Sequence, residues 1–184
     1  MVAVTTLPHG RPLRRKDLDA MPEDGHRYEL IDGVLVVSPS PSWRHQRAVG
    51  RLFRLLDDSC PPDLEVLSGP FDVALSEDTV MIPDLIVARR KDLTQRDLPA
   101  APVLAVEVLS PSTRRFDLMV KRSRLESAGA AAFWVVDPDE PSLTAWESRD
   151  GLFVEVAYKC ADEVFTAGTP FGVEVVPARL VADH

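Results

Sequence analysis

Two acids in this chain stand where acids are costly. Glu107 lies inside VLAVEVLS, residues 103–110, where six of the eight residues are aliphatic. Asp84 directly follows Pro83 inside MIPDLIVA, residues 81–88, a second aliphatic run with a single charge. Near-continuous apolar character marks a strand covered on both faces. A carboxylate there forfeits hydration worth on the order of several kcal/mol, so it needs a cation, a hydrogen-bonding partner or a shifted pKa. Two such strands joined by a polar connection can bring their acids together around a hard cation, which prefers oxygen ligands. Without the metal, their mutual repulsion raises at least one of the two pKa values. The structural alternative is that each acid pairs with a buried Arg or His.

Other residues with chemical potential carry two meanings each. Glu29 sits in a strand-like stretch, where a solvent-facing Glu is the commoner case. His45 shares a helical stripe with Val49, Leu52 and Leu56 and points inward, either as a hydrogen-bonded core histidine or as a site residue. Arg44, Arg47, Arg51 and Arg54 form another stripe of the same helix. Such a stripe is more often a solvated face, yet its spacing suits a nucleic-acid backbone. Asp117 and Lys121 are four residues apart on a helical segment, the spacing of a surface ion pair. Only four lysines occur against seventeen arginines, so a lysine here is a choice for a compact ammonium.

The elements that must position these residues follow from pattern and punctuation. Residues 1–14 lack periodicity and read as a loose arm, and a short helix at most precedes Pro22 and Gly25. RYELIDGVLVVSP is a hairpin with Asp32-Gly33 as its turn, and Glu29 falls in its first strand. A helix is expected over about 42–58, opened by capping serines. LEVLSGPFDVALSED gives a strand or a pair broken at Gly69-Pro70, followed by the Asp84 strand at about 82–88 and the Glu107 strand at about 103–109. A second helix runs over about 113–128 to Gly129, and AAFWVVDP is a third buried strand at about 132–136. SLTAWES, GLFVEVAYK and GVEVVPARLV alternate as antiparallel or edge strands, the first two joined by a turn at Arg149-Asp150-Gly151. The order predicts a mixed sheet with the three aliphatic strands at its centre and helices on its faces.

A chain of 184 residues, 45% hydrophobic, suits one domain. No apolar run approaches a membrane span and the first 20 residues lack a signal-peptide core, so a cytoplasmic protein is expected. Cys60 and Cys160 form no metal or redox motif and are read as reduced thiols. A net charge of -8 argues against broad affinity for nucleic acid while leaving room for a local basic patch.

YELIDGVLVVSPSP, the helix with an inward His, PDLIV, VEVLSPST, a helix carrying DLMVK and then AGAAAFWVVDP together resemble the Uma-type family of restriction-endonuclease-like proteins. The resemblance spans about residues 15–180 in unbroken order, so residues 15–184 are expected to form a single restriction-endonuclease-like domain. It implies the PD-(D/E)XK nuclease superfamily, an α/β fold with a mixed central sheet flanked by helices, and hydrolysis of phosphodiesters, DNA foremost, with Mg2+ or Mn2+. Asp84 is then the acid of the first half-motif and Glu107 that of the second, both as metal ligands. The superfamily lysine belongs two residues after the second acid, where Leu109 stands, so its role passes to Lys121. Glu29 and His45 would line the same cleft, Asp117 would support Lys121, and Arg44, Arg47 and Arg51 would contact nucleic acid. A homodimer is expected, since two symmetric sites cut both strands of a duplex most simply. In the block after Lys121 the chain departs from the family pattern, with Leu125 for Tyr, Ala130 for Val, Ala132 for Glu and Phe133 for Tyr. Two other functions therefore stand beside the nuclease: an inactive nuclease fold that binds nucleic acid or protein, and a structural homo-oligomer.

Overall fold

The computed structural model describes residues 10–22, 24–110 and 117–182, with Asp117 described in its backbone alone. The chain enters through a one-turn helix, α1 (Arg15–Leu18), and folds back in the hairpin β1 (Arg27–Ile31) and β2 (Val34–Ser38). Asp32 and Gly33 turn it with φ of 51° and 76°, the left-handed pair that matches the twist of a two-residue hairpin. Helix α2 (Trp43–Asp58) follows, and its N-cap Ser42 accepts the His45 N–H. Next come β3 (Leu64–Ser68), β4 (Asp72–Ser76), β5 (Thr79–Met81), β6 (Leu85–Arg89), β7 (Asp97–Leu98) and β8 (Leu104–Val108). A π-helical turn over Asp117–Lys121 runs into α3 (Arg122–Ala128). The order closes with β9 (Ala132–Asp137), β10 (Ser142–Arg149), β11 (Leu152–Cys160), β12 (Phe165–Ala167), β13 (Val173–Val175) and helix α4 (Pro177–Val181).

The central sheet has six strands in the order β11-β10-β9-β8-β6-β3. Its three aliphatic strands, β6, β8 and β9, lie inside it, as their apolar character requires. Strands β8 and β9 are parallel, joined by the crossover that contains α3, and the other neighbours are antiparallel. One face is covered by α2, whose Ala48, Val49, Leu52 and Leu56 meet Leu85, Leu104, Val106, Trp134 and Val136. On the other face Leu125 of α3, with Ile31 and Met81, packs against Ala105, Leu109, Phe133 and Val135. The fold is thus the expected α/β arrangement, a mixed sheet between helices.

Several expectations are corrected. The N-terminal hairpin belongs to a second, five-stranded sheet in the order β2-β1-β5-β4-β7, and Gly69-Pro70 divides β3 in one sheet from β4 in the other. The strand expected at about 82–88 is shorter: β5 has ended at Met81 in the other sheet, and β6 begins only at Leu85. Pro83 has no N–H to give a ladder, so the chain changes sheets there. From residue 10, where the described residues begin, the expected arm is held against the fold. Leu13 is buried, its N–H bonds the Gly33 carbonyl at 2.9 Å, and the Arg15 N–H bonds the Glu77 carbonyl at 2.8 Å. The final segment is only briefly a strand, since Pro177 opens α4 at a position where a missing N–H costs nothing. The helix expected from residue 113 is seen from Asp117 onward, residues 113–116 lying outside the described residues.

Gly33 couples the hairpin to the entering segment. A Cβ there would stand 2.5 Å from the Pro12 Cβ, on a backbone with positive φ. Gly33→Ala should therefore lower stability by about 1–3 kcal/mol, read as an earlier midpoint in urea with an unchanged slope. A midpoint equal to that of the unsubstituted protein would show that this turn tolerates a side chain.

Candidate active site

Asp84 occupies the crossing between the two sheets, just before β6. The antiparallel register pairs Leu85 with Val106 and, continued by one residue, sets Asp84 beside Glu107. Two acids 23 residues apart in sequence thus meet because their strands run in opposite directions from a shared end. Glu29 arrives from β1, which pairs with β5 through Leu30 and Val80, so it stands where β5 leaves the second sheet. There the Ile82 N–H donates to Glu29 Oε1 at 2.7 Å. His45 comes from the first turn of α2 and Lys121 from the π-helical turn before α3. All five side chains line one cavity of about 220 Å3, with Arg27 and Ser38 to Ser42 along its wall.

Burial decides what these groups can do. Lys121 is only 4% exposed, so it is not a solvated surface lysine. Its Nζ lies 3.0 Å from Glu29 Oε1 and 3.1 Å from Glu107 Oε1, one ammonium held between two buried carboxylates. Glu29 likewise proves buried rather than solvent-facing. Asp84 Oδ2 accepts the Val108 N–H at 2.8 Å and faces His45 Nε2 at 3.0 Å, while Arg27 Nη1 reaches Oδ1 at 3.2 Å. His45 Nε2 meets a carboxylate and therefore carries a proton, whereas its buried Nδ1 finds no hydrogen-bond partner among the described residues.

Burial by itself pushes the Asp84 carboxyl up, but the His45 hydrogen bond and charge, the Val108 N–H and the Arg27 guanidinium outweigh it and hold the group below the usual carboxylate value. Repulsion from Glu107 does not govern Asp84, so the rise expected for at least one of the two acids does not fall on Asp84. The cations that prevent it were only partly legible. Arg27 was missed, although it stands two residues before Glu29 on one strand and so shares its face. At Val108 the main-chain N–H serves the site.

One other expectation changes. Arg47 Nη1 bonds the Ala182 carbonyl at 2.9 Å, and Arg51 Nη1 bonds the carbonyls of Arg179 and Ala182 at 2.7 and 2.9 Å. These are the orphan acceptors at the end of α4, so the proposed phosphate clamp largely fastens the chain's own last helix. Arg44 stays exposed, its guanidinium carbon 5.4 Å from the Trp43 ring centroid. The side chain of Asp117 lies outside the described residues. The four departures from the family pattern, Leu125, Ala130, Ala132 and Phe133, are all fully buried in the core and none lines the cavity.

Comparison with known proteins agrees with this architecture. The model of the Uma2 family, described as "Putative restriction endonuclease", matches residues 15–178. The crystal structure of a protein from Anabaena variabilis, titled as a putative nuclease belonging to DUF820, superposes with a TM-score of 0.75 at 16% identity, over 92% of this chain and 98% of that one. No curated protein matches the chain. Among the described residues, no helix is long and apolar enough to cross a membrane.

The buried charges make two outcomes testable. Lys121→Met should leave Glu29 and Glu107 without their shared cation and cost about 3–5 kcal/mol of stability in urea titration, part of it restored by adding Glu29→Gln. An Asp84 pKa depressed in the fold means that its stabilisation is complete above the ordinary value of 3.8 and is lost as pH falls through the lower folded value. Denaturation midpoints measured downward from about pH 4 should fall more steeply for the unsubstituted protein than for Asp84→Asn, and parallel curves would remove Asp84 from the acid response.

Proposed function

The chain belongs to the Uma2 family, and on that premise we propose that it is a metal-dependent nuclease hydrolysing phosphodiester bonds, with DNA as its substrate. The main support is that Asp84, Glu107 and Lys121, from three separate stretches, converge on one cavity. Their types suit the reaction, which must neutralise an anionic phosphate, activate a water and stabilise the charge that develops.

The donor set fits a hard divalent ion. Among the described residues no three His, Cys, Asp or Glu side chains form a ligand cluster. Mg2+ commonly takes only one or two carboxylates and keeps several waters, and Asp84 and Glu107 would supply those carboxylates. Asp84 Oδ2 already serves His45 and Val108, while Oδ1, with its longer contact to Arg27, keeps lone-pair capacity. Glu29, Asp84, Glu107 and Asp139 outnumber Lys121 and Arg27 in the cavity lining even when His45 is charged, so the cavity is net negative, which attracts a cation and repels a bare phosphodiester. Bound there, Mg2+ or Mn2+ lowers the pKa of the attacking water and offsets the phosphate charge.

The other roles fall to this chain's own groups. Lys121 orients the water and stabilises the developing negative charge, and Glu29 holds Lys121 in place against Glu107. His45 fixes the Asp84 carboxylate, and Arg27, at the cavity wall, faces the phosphate. A homodimer presenting two such cavities to the two strands of a duplex is part of the proposal.

A second reading keeps the charges as internal ion pairs only, and the His45, Arg27 and Lys121 contacts favour it, because each of the three buried acids already has a partner. Metal titration and nicking of supercoiled DNA separate the two. The nuclease reading expects Mg2+ or Mn2+ to bind and to support cutting, with cleavage reduced at least about 100-fold in Asp84→Ala and in Lys121→Gln. Metal binding without cutting points to an inactive nuclease fold, and no binding points to ion pairs alone.

A further inference from the structure

Trp43 is 57% exposed, whereas the other two tryptophans, Trp134 and Trp146, are 1% and 7% exposed. Single exposed apolar residues are ordinary on protein surfaces, so exposure alone says little. The surroundings of Trp43 say more. It directly follows Ser40, Pro41 and Ser42, which line the cavity that holds Asp84, Glu107 and Lys121. It is the first residue of α2, directly after the lining residue Ser42 and two before the buried lining residue His45, and it does not itself line the cavity.

Its ring is also held in place by cations. The guanidinium carbons of Arg47 and Arg44 lie 4.6 and 5.4 Å from its centroid. Arg47 is itself fixed, since its Nη1 bonds the Ala182 carbonyl, and so the ring rests against an anchored partner. An indole held open by positive charge beside an anionic-substrate cavity has the features that bind unpaired nucleotides: a flat π surface for a base and cations for the adjacent phosphate. A duplex offers no exposed base face to such a ring.

We propose that Trp43 is a stacking platform for an unpaired base next to the scissile phosphate, so that the substrate is single-stranded nucleic acid or a duplex opened at the cut. This rests on the nuclease reading above. Trp43 positions the strand and Arg44 meets its backbone, while the cavity residues perform the chemistry.

Because Trp43 is the exposed tryptophan, its emission reports contact directly. In chelator, which separates binding from turnover, a single-stranded oligodeoxynucleotide should quench the unsubstituted protein's fluorescence, and its matched duplex should quench far less. Binding followed by anisotropy of a labelled strand should weaken about 10- to 100-fold in Trp43→Ala and stay near the original in Trp43→Phe, which retains a ring. The buried Trp134 and Trp146 of Trp43→Phe serve as the control and should not respond. With Mg2+ or Mn2+ restored, single strands should be cut faster than duplex, and Trp43→Ala should lose that preference. Unchanged emission with single-strand binding unaffected in Trp43→Ala overturns the platform, and if DNA is still cut the nuclease reading stands. If no nucleic acid is bound or cut in any form, the nuclease reading falls and the platform falls with it.

Discussion

Everything at the candidate site depends on one ammonium shared by two buried carboxylates. The attraction between Lys121 and each acid at 3.0–3.1 Å is about 5 kcal/mol for an effective dielectric of ~20. The effective cost of burying one ion is also several kcal/mol, so a single pair would come close to cancelling. Two pairs on one cation change the balance, although the two carboxylates repel one another. The geometry also joins three parts of the chain, because Glu29 comes from the second sheet, Glu107 from the central sheet and Lys121 from the crossover before α3. Loss of the ammonium would thus loosen the packing of both sheets and the crossover as well as the site.

Asp84 solves the same problem by other means. It collects a histidine, a main-chain N–H and a partly exposed arginine, which together overcome its burial. The difference follows from position. Glu107 lies within a fully buried strand, where neighbouring main-chain donors are committed to the ladder, so a side chain must supply the charge. Asp84 lies at the break between two strands, where the Val108 N–H at the end of β8 is still available. Pro83 creates that break, and so a residue with no chemistry of its own decides how the acid is satisfied.

The architecture was legible because hydrophobic pattern carries it. Three aliphatic strands went to the sheet interior, and α2, with its narrow apolar stripe, went to one face of that sheet. The two acids were legible for the same reason, since a charge inside an apolar run stands out. What the pattern could not show was pairing. Glu29 looked like a surface residue because alternation reports a strand's face without telling which sheet will cover it. Arg47 and Arg51 looked like a phosphate clamp because helical spacing shows a shared stripe, not the carbonyls of a helix more than a hundred residues later. Lys121 looked like one half of an i, i+4 pair because local spacing cannot reveal two acids from distant strands. Long-range contacts of this kind depend on topology, which only a few turn signals hint at.

The place of the lysine is the remaining step. In a strand, the residue two beyond Glu107 shares its face, so a lysine at 109 would project beside that acid. Leu109 occupies the position instead and packs with Leu125 and Phe133 into the core on that face. The crossover from β8 to β9 covers the same face, and Lys121 lies on it, one π-helical turn before α3. A strand residue and a crossover residue are therefore two routes to one point in space. The second route needs a neighbouring apolar side chain to hold the crossover down, and Leu125, four residues beyond Lys121 and fully buried, provides it. The leucines at 109 and 125 thus suit a lysine buried on the crossover: one fills the strand position two beyond Glu107, and the other seats the helix that follows Lys121.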